Sequence, residues 1–392
     1  MSVRVRFAPS PTGQVHIGNI RAAIFNWLYA RHEGGKFLLR VEDTDRERST
    51  PDALKALLES MEWLGLNFDE EPMYQSTRTA AHLAAAEDLI SQGFAYRENK
   101  EGKGECIMFR MPGTDMAFHD EIKGDLRKGA EHMKDFVIVR SDGAPVFHLA
   151  NVADDIEMKI TLVMRGDDHI ENTYRHVALF RALGAEPPKY AHLPMIVNQQ
   201  GKPYSKRDGA AFVGEFRENG FLAHALFNYL ALLGWSPGED REKMSRDEMV
   251  SLFTLDRVKN GPAQVDMKKL THLNGLYLAE LPADDFIRGA RARLAGQDWA
   301  AAADDAHFRR VCAMMQSRTK LYTHVMDWKY FFSEDFSFDE KAVQKELKKP
   351  GSGAALAALI GRLESSDFSA PAVEQALRQS EKDAGLAEGK VN

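Results

Sequence analysis

The first residues able to do chemistry lie in Arg6-Phe-Ala-Pro-Ser-Pro-Thr-Gly-Gln-Val-His-Ile-Gly-Asn19. His16, Gly18 and Asn19 fall at or near the first turn of an expected helix. A helix start offers unpaired backbone N–H groups and the positive end of a dipole, which suits phosphate. Gly18 allows close approach to the backbone, and His16 and Asn19 add side-chain donors. Taken alone, these residues fit an ordinary strand-to-helix connection better, because short motifs recur by chance. Glu42, with Asp43 and Asp45, stands where an apolar run turns acidic. Carboxylates at the C-terminal end of a strand sit where open α/β sheets bind ligands. Glu42 is therefore either an ammonium ligand or a solvated loop residue. Arg165 closes a β-branched run, and a buried arginine is costly unless it meets an anion. A substrate carboxylate or Asp167 or Asp168 would serve. Finally, Gly201 and Gly209 bracket a loop carrying Ser205, Lys206 and Arg207. Alone, such a loop reads as a solvated turn.

Periodicity supplies the elements that must position these groups. Val3, Val5 and Phe7 alternate with polar residues, as in a strand. Ile20 to Arg31 has helical spacing and stops at Gly34-Gly35. Lys36 to Glu42 reads as a second strand. Thr50-Pro51-Asp52 opens a helix with a capping residue, a first-turn proline and a favourably placed acid; its apolar face is Leu54, Leu57, Leu58 and Met61. A further helix is expected over 76–92. Over 93–146 the pattern loosens into short strands, Cys106 to Met111 and Phe136 to Arg140, with bases at Lys123, Arg127 and Lys128. Asn151 lies four residues after Phe147, so one helical face presents both. Ile160 to Arg165 and Tyr190 to Val197 read as strands, and Phe221 to Trp235 as an apolar helix. Beyond about residue 290 the chain reads as helices. Their apolar positions are Leu294, Val311, Met314, Met315, Leu321, Val325, Leu356, Leu359, Ile360 and Leu363, with Arg309, Arg310, Arg318, Lys320 and Lys329 between them. Ala- and Gly-rich pieces near 298–304 and 350–357 are expected to be turns or soft connections.

Bulk properties narrow the class. A chain of 392 residues with 44% hydrophobic content suits two to four globular domains. A net charge of −7 gives no global pull toward nucleic acid, so such a partner would need local basic patches. Cys106 and Cys312 are the only cysteines, which suggests a reducing cytosol and no disulfide framework. Zinc usually takes four N/S ligands at tight spacing. Neither Cys106 nor His119 nor His132 completes such a set, so no metal site in the chain and no zinc are expected. The N-terminus lacks the apolar segment of a signal peptide, and no run approaches membrane-spanning length.

The first stretch resembles the HIGH signature of class I aminoacyl-tRNA synthetases, in the form used by bacterial glutamyl-tRNA synthetases. Further matches follow in order: LLRVEDTDRERS at 38–49, FHLANVADD at 147–155, VMRGDDHIENT at 163–173, GKPYSKRDGA at 201–210 and NYLALLGWSPGED at 228–240. The likeness covers nearly the whole chain. It implies an α/β fold in which a Rossmann-type catalytic domain carries an insertion and is followed by an all-helical C-terminal region. The expected segments are 1–92 and 147–210 for the catalytic halves and 93–146 for an insertion gripping the tRNA acceptor end. Residues 211–289 would form a stem-contact region and 290–392 a helical anticodon-side domain. A second anticodon-binding domain, usual in the family, is expected to be absent after the polar segment Glu388–Asn392, the sequence being cut at a domain boundary, with weakened reading of the anticodon.

The resemblance also assigns roles. His16, Gly18 and Asn19, with Ser205, Lys206 and Arg207 of a loop similar to the family's KMSKS signature, would bind ATP. His16, Asn19 and Lys206 would be catalytic, Lys206 following the departing pyrophosphate. Arg6, Ser10, Glu42, Phe147, Asn151 and Arg165 would bind glutamate, in a pocket cationic enough to choose it over glutamine. Two positions depart from the family: Phe147 stands where tyrosine is usual, and Pro203 replaces the first lysine of the loop signature. The implied activity is attachment of glutamate to tRNA(Glu) through glutamyl-adenylate, with ATP as substrate and Mg2+ on its phosphates, in a cytoplasmic monomer with no membrane partner. Two other readings are a shorter relative that glutamylates a modified base in tRNA, and a catalytically impaired paralogue that binds tRNA or glutamate as a regulator.

Overall fold

A computed structural model describes residues 2–45, 48–100 and 104–385. Arg46 and Glu47 of the acidic motif and the segment Glu388–Asn392 lie outside the described residues. The chain divides into two units, one of residues 1–295 and 304–326, the other of residues 296–303 and 327–392.

In the first unit, β1 (Arg4–Phe7) leads through a loop into α1 (Ile17–His32), and β2 (Lys36–Val41) returns parallel to β1. Helix α2 (Pro51–Trp63) precedes β3 (Met73–Tyr74), which pairs parallel to β2. Alternation decides which way each strand residue faces. Phe37 and Leu39 of β2 join a core with α1, while Leu38 between them joins a second core on the opposite face. The sheet is thus buried on both sides, which is why these strands read as nearly continuous apolar runs. α1 is buried nearly all round, from Ile17 to Ala30, so it lacks the polar face of a surface helix.

After α3 (Thr79–Ser91), β4 (Ala95–Lys100), β5 (Gly104–Phe109) and β8 (Phe136–Val139) form an antiparallel sheet. Between them β6 (Met116–Asp120) and β7 (Gly124–Lys128) make a hairpin. Then α4 (Phe147–Glu157), β9 (Leu162–Gly166), α5 (Ile170–Ala182) and β10 (Lys189–Leu193) complete the parallel arrangement. Thr161 and Arg4 exchange hydrogen bonds, which set β9 beside β1. β6 lies parallel to β10 where Tyr190 faces Asp120. A short pair, β11 (Ile196–Val197) with β12 (Ala263–Gln264), follows. This is the α/β class I architecture that the motifs imply. The other helices of this unit are α6 (Val213–Glu218), α7 (Ala223–Leu232), α8 (Arg246–Leu252), α9 (Met267–Ala279), α10 (Ala283–Arg293) and α12 (Asp305–Met315).

The second unit is helical, with α11 (Asp298–Ala301), α13 (Glu340–Ala342), α14 (Ser352–Glu364) and α15 (Ala370–Asp383). α14 packs on α15 through Ala355, Leu359 and Ala376, and Arg362 donates to Ser380 Oγ at 3.0 Å. Two expectations fail here. The 350–357 stretch is the start of α14, because its alanines favour helix once Gly351 has turned the chain at φ 89°. The 298–304 stretch likewise holds the short α11. Met314, Leu356 and Ile360, among the apolar positions of the C-terminal helices, are exposed. No helix among the described residues is long and apolar enough to cross a membrane.

Candidate active site

A cleft of about 660 Å³ opens at the C-terminal ends of β1, β2 and β9. Arg6, Ser10, His16, Gly18, Asn19, Glu42, Phe147, Asn151 and Arg165 line it together, although they span 160 positions of sequence. Ser205, Lys206 and Arg207 do not line it, but Pro203 and Tyr204 at the start of their loop do.

At the start of α1 the structure changes the expected chemistry. His16 is the N-cap residue, and its Nδ1 accepts from Gly18 N–H at 3.0 Å. Ile17 N–H donates to Ala211 O at 2.9 Å. The Asn19 and Ile20 N–H groups donate to His16 O at 3.0 and 3.1 Å. The first four N–H groups therefore already have acceptors, and the free backbone donors expected here are absent. What remains for an anion is the dipole and the exposed Asn19 side chain, joined by the other imidazole nitrogen only when it gives up its backbone bond to Tyr204. Burial lowers the His16 pKa, against the pull of a backbone hydrogen bond to Tyr204 and of Glu215. A neutral ring that accepts at Nδ1 carries its proton on Nε2, as a donor.

The amino-acid side of the cleft is an ordered charge network. Arg6 holds Asp155 with two bonds, from Nε at 3.0 Å and Nη2 at 3.2 Å. Arg40 holds the same carboxylate and also donates to Glu42 Oε1 at 3.1 Å. Burial alone would raise the Asp155 pKa, but Arg40 and Arg6 overcome it and hold the carboxyl below its usual range. Glu42 Oε1 also accepts from Asn151 Nδ2 at 2.9 Å. Glu42 Oε2 is thereby left open to the cleft, and buried Asn151 Oδ1 has no hydrogen-bond partner among the described residues.

Arg165 stands apart from these pairs. Its Nη2 donates to Thr173 Oγ1 at 2.8 Å, with His192 Nε2 and His176 Nδ1 each 3.5 Å away. Among the described residues neither Asp167 nor Asp168 pairs with it, and Asp167 is bonded to Lys123 instead. Burial, then repulsion from Arg6, lowers the Arg165 pKa to about 10. Asp155 and Glu42 answer Arg6 and Arg40, so the strongly cationic pocket expected from the sequence reduces to Arg165 and to Arg21, which lines the cleft and donates to the Leu233 and Pro194 carbonyls.

Phe147 sits edge-on or tilted against three imidazoles, those of His148, His169 and His176, at centroid distances of 5.4, 5.9 and 5.5 Å. Burial is the first cause lowering His148 and His169 to about 4, with neighbouring arginines adding to it. His176 is pushed well below its usual value, by burial first and then by Arg165.

The cationic loop is built on a hairpin stem. Asn198 N–H donates to Lys202 O and Tyr204 N–H donates to Ile196 O, so Val197 and Pro203 face each other as a pair without mutual hydrogen bonds. Pro203 has no N–H to donate and none is called for there, which explains how the substitution is accommodated. Ser205 then forms a capping box with Asp208. Lys206 Nζ rests 4.5 Å from the centroid of the Phe212 ring, and that ring meets His16 edge-on at 5.8 Å. Backbone bonds between Val15 and Val213, and between Ile17 and Ala211, tie the loop's exit to the start of α1.

Asp155, Arg40, Thr173, His192 and Asp120 carry the site's internal bonding and went without a role in the sequence reading. A signal existed for Asp155, which continues the Phe147–Asn151 face at the next four-residue step. None existed for Asp120 or His192, which meet only through sheet pairing. As for metal, Cys106 is buried with its thiol 3.4 Å from Glu98 O. His119 pairs with Asp125 and His132 lies beside Glu131, both on the surface. Among the described residues no group of three or more His, Cys, Asp or Glu side chains is arranged to hold a metal ion.

Comparison with known proteins agrees with this geometry. The family profile described as tRNA synthetases class I (E and Q), catalytic domain, matches residues 2–103 and 97–272. The profile described as anticodon binding domain matches 285–392. The chain is 39% identical to glutamate–tRNA ligase 1 of Granulibacter bethesdensis, over all of this chain and 89% of that protein. It is 41% identical to glutamate–tRNA ligase 1 of Gluconacetobacter diazotrophicus, over all of this chain and 92% of that protein. The crystal structure of a glutamate tRNA ligase from Elizabethkingia meningosepticum in complex with its amino acid superposes with a TM-score of 0.86 at 30% identity, covering this whole chain and 92% of that one. With its cleft at the strand ends, its two profile matches and these full-length relatives, the chain belongs to the class I aminoacyl-tRNA synthetases for glutamate and glutamine.

Proposed function

We propose that the chain joins glutamate to tRNA in two steps: glutamate and ATP give glutamyl-adenylate and pyrophosphate, and the acyl group then moves to the terminal adenosine of tRNA(Glu), releasing AMP. One observation carries the amino-acid assignment. The cleft offers buried Arg165, which has no carboxylate partner among the described residues, and apart from it Glu42 Oε2 and Asn151 Oδ1 as acceptors. An amino acid with an anionic side chain complements both: its ammonium meets Glu42 and Asn151, and its side-chain carboxylate meets Arg165. Arg6, held by Asp155, and Ser10 line the same cleft and complete the glutamate site.

The reaction asks the protein for positioning and charge stabilisation rather than for covalent chemistry. His16 Nε2–H and the Asn19 amide hold ATP phosphates at the start of α1, with Gly18 allowing close approach. The α-carboxylate of glutamate attacks the α-phosphate, and negative charge builds on the leaving pyrophosphate. Lys206 leaves the Phe212 ring to follow that charge, helped by Ser205 and Arg207. The cation–ring contact it gives up is worth only ~0.5–1 kcal/mol at an exposed site, so the move is easy. Mg2+ would accompany ATP and would supply positive charge at its phosphates. The helical C-terminal region reads the anticodon side, and the 93–146 insertion grips the acceptor end. The protein works in the cytoplasm as a monomer.

The test is ATP-dependent charging of total tRNA by the purified chain, with labelled glutamate and glutamine in separate reactions. Glutamate bound to the 3′ terminus is the expected product. Binding of tRNA or glutamate without charging would overturn the reading in favour of a regulatory paralogue.

A further inference from the structure

The Arg165 guanidinium is not held by a carboxylate but by a chain of hydrogen bonds that ends on one. Arg165 Nη2 donates to Thr173 Oγ1 at 2.8 Å. Thr173 Oγ1 lies 3.0 Å from His192 Nε2, and Arg165 Nε lies 3.5 Å from the same nitrogen. On its other side, His192 Nδ1 lies 2.6 Å from Asp120 Oδ2. Asp120 is 1% exposed and its carboxylate also accepts from the backbone N–H groups of Ile122, Lys123 and His192. So many donors keep it ionised despite its burial.

These contacts fix the imidazole. An ionised Asp120 makes His192 Nδ1 the donor, so Nε2 is an acceptor that faces Thr173 Oγ1 and the Arg165 Nε–H. The Thr173 hydroxyl proton has two acceptors, His192 Nε2 at 3.0 Å and His169 O at 3.1 Å, and with either one the oxygen keeps a lone pair for Arg165 Nη2. Reversal of the imidazole would set two donors against each other in a site where Thr173 and His192 are fully buried. Asp120 sits at the end of β6 and His192 in the middle of β10, which meet only at the Tyr190–Asp120 pairing.

We infer that Asp120, His192 and Thr173 are positioning residues for Arg165, fixing its guanidinium so that it accepts a glutamate side-chain carboxylate and discriminates against the amide of glutamine. The inference rests on the reading of Arg165 as the glutamate ligand. Its physical content is that a guanidinium without a carboxylate clamp of its own stays available to substrate, yet is oriented by a carboxylate two residues away along the chain of bonds. Arg6, clamped directly by Asp155, lacks this availability.

The experiment is a double-mutant cycle on the full-length chain, read as kcat and KM for glutamate and for glutamine in tRNA charging. Asp120→Asn lets the imidazole reverse, and Thr173→Val removes the hydroxyl while keeping the shape. Each should raise the glutamate KM about ten-fold, with a smaller change in kcat and none in the ATP KM. The preference for glutamate over glutamine should fall in parallel. Nitrogen chemical shifts of labelled His192 should show protonated Nδ1 in the unmodified chain and a changed pattern in Asp120→Asn, a signature that a merely structural role would not move. In an Arg165→Met background neither substitution should change glutamate kcat/KM further, because both act through the guanidinium. If Arg165→Met itself leaves the glutamate KM unchanged, the reading of Arg165 fails. If Arg165→Met raises KM but Thr173→Val and Asp120→Asn do not, or if their effects persist undiminished in the Arg165→Met background, the positioning chain is overturned and the ligand reading stands. Should Asp120→Asn not fold, Thr173→Val alone carries the same comparison.

Discussion

Replacing Arg165 by methionine should make the protein more stable and a much poorer enzyme, and the two effects have separate magnitudes. In the free protein Arg165 is buried, faces Arg6 and has no carboxylate partner among the described residues. Folding lowers its pKa to about 10, chiefly through burial. For a cation, a depressed value means that the charged form is disfavoured in the fold, and the full penalty applies at any pH below the folded value, pH 7 included. At 1.36 kcal/mol per pH unit the penalty is at most about 3 kcal/mol. Methionine fills a similar volume without charge, and Thr173 can still donate to His192 Nε2, so no buried partner is stranded. We expect the melting temperature to rise, with each kcal/mol worth roughly 2–4 °C in domains of 150–250 residues. Substrate binding moves the other way. A glutamate carboxylate entering this pocket would find no partner, a loss of about 3–5 kcal/mol, or roughly two to three orders of magnitude in kcat/KM. The assays are thermal unfolding of the apo protein and steady-state tRNA charging across a glutamate series, with the ATP KM as control. A fall in melting temperature with an unchanged glutamate KM would show Arg165 to be a structural residue. Equal losses of ATP and glutamate binding would show that the cleft itself had collapsed.

Lys206→Ala should lower the rate of adenylate formation by on the order of 10²–10³, the scale for one donor acting on transition-state charge, with little change in glutamate KM; a near-normal rate in rapid-quench measurements with tRNA present would remove Lys206 from the reaction. Glu42→Gln should weaken glutamate through its ammonium, so the KM should rise for glutamate but not for ATP, and a KM unchanged for both would exclude Glu42 as a ligand. Stability should fall in acid. Burial holds His148 and His169 at about 4 in the fold and pushes His176 well below its usual value, so from pH 6.5 downward the unfolded chain takes up protons that the folded chain refuses. Urea titrations at pH 5 should therefore show net proton uptake on unfolding, and a stability flat from pH 7.5 to 5 would contradict the burial of these rings. Elemental analysis of the purified protein should find no stoichiometric zinc; one zinc per chain would refute the reading of Cys106, His119 and His132.

Much of the scaffold could be read directly because the signals that build it act over a few residues. Alternation at Val3, Val5 and Phe7, the Thr50 cap with Pro51, and the four-residue step from Phe147 to Asn151 set local geometry wherever the chain is placed. The position of Glu42 and Arg165 at strand ends follows from the same local patterning. At 350–357 helical propensity prevails, because alanines outvote a glycine that turns the chain just before the helix. Chain order and motif spacing also carried the family, since loop, strand and helix recur in a fixed sequence. What only the tertiary structure decided is who pairs with whom. Gly18 N–H is consumed by the same histidine expected to hold phosphate, because the ring folds back on its own helix. Arg6 and Arg40 share Asp155, more than a hundred positions away, while Arg165 beside them has no carboxylate partner among the described residues. Asp120 reaches Arg165 only because β6 runs beside β10. Charges separated so widely in sequence have no periodicity to betray their pairing. Burial in a low-dielectric sheet edge is what makes each pairing obligatory, and burial is a property of the assembled fold.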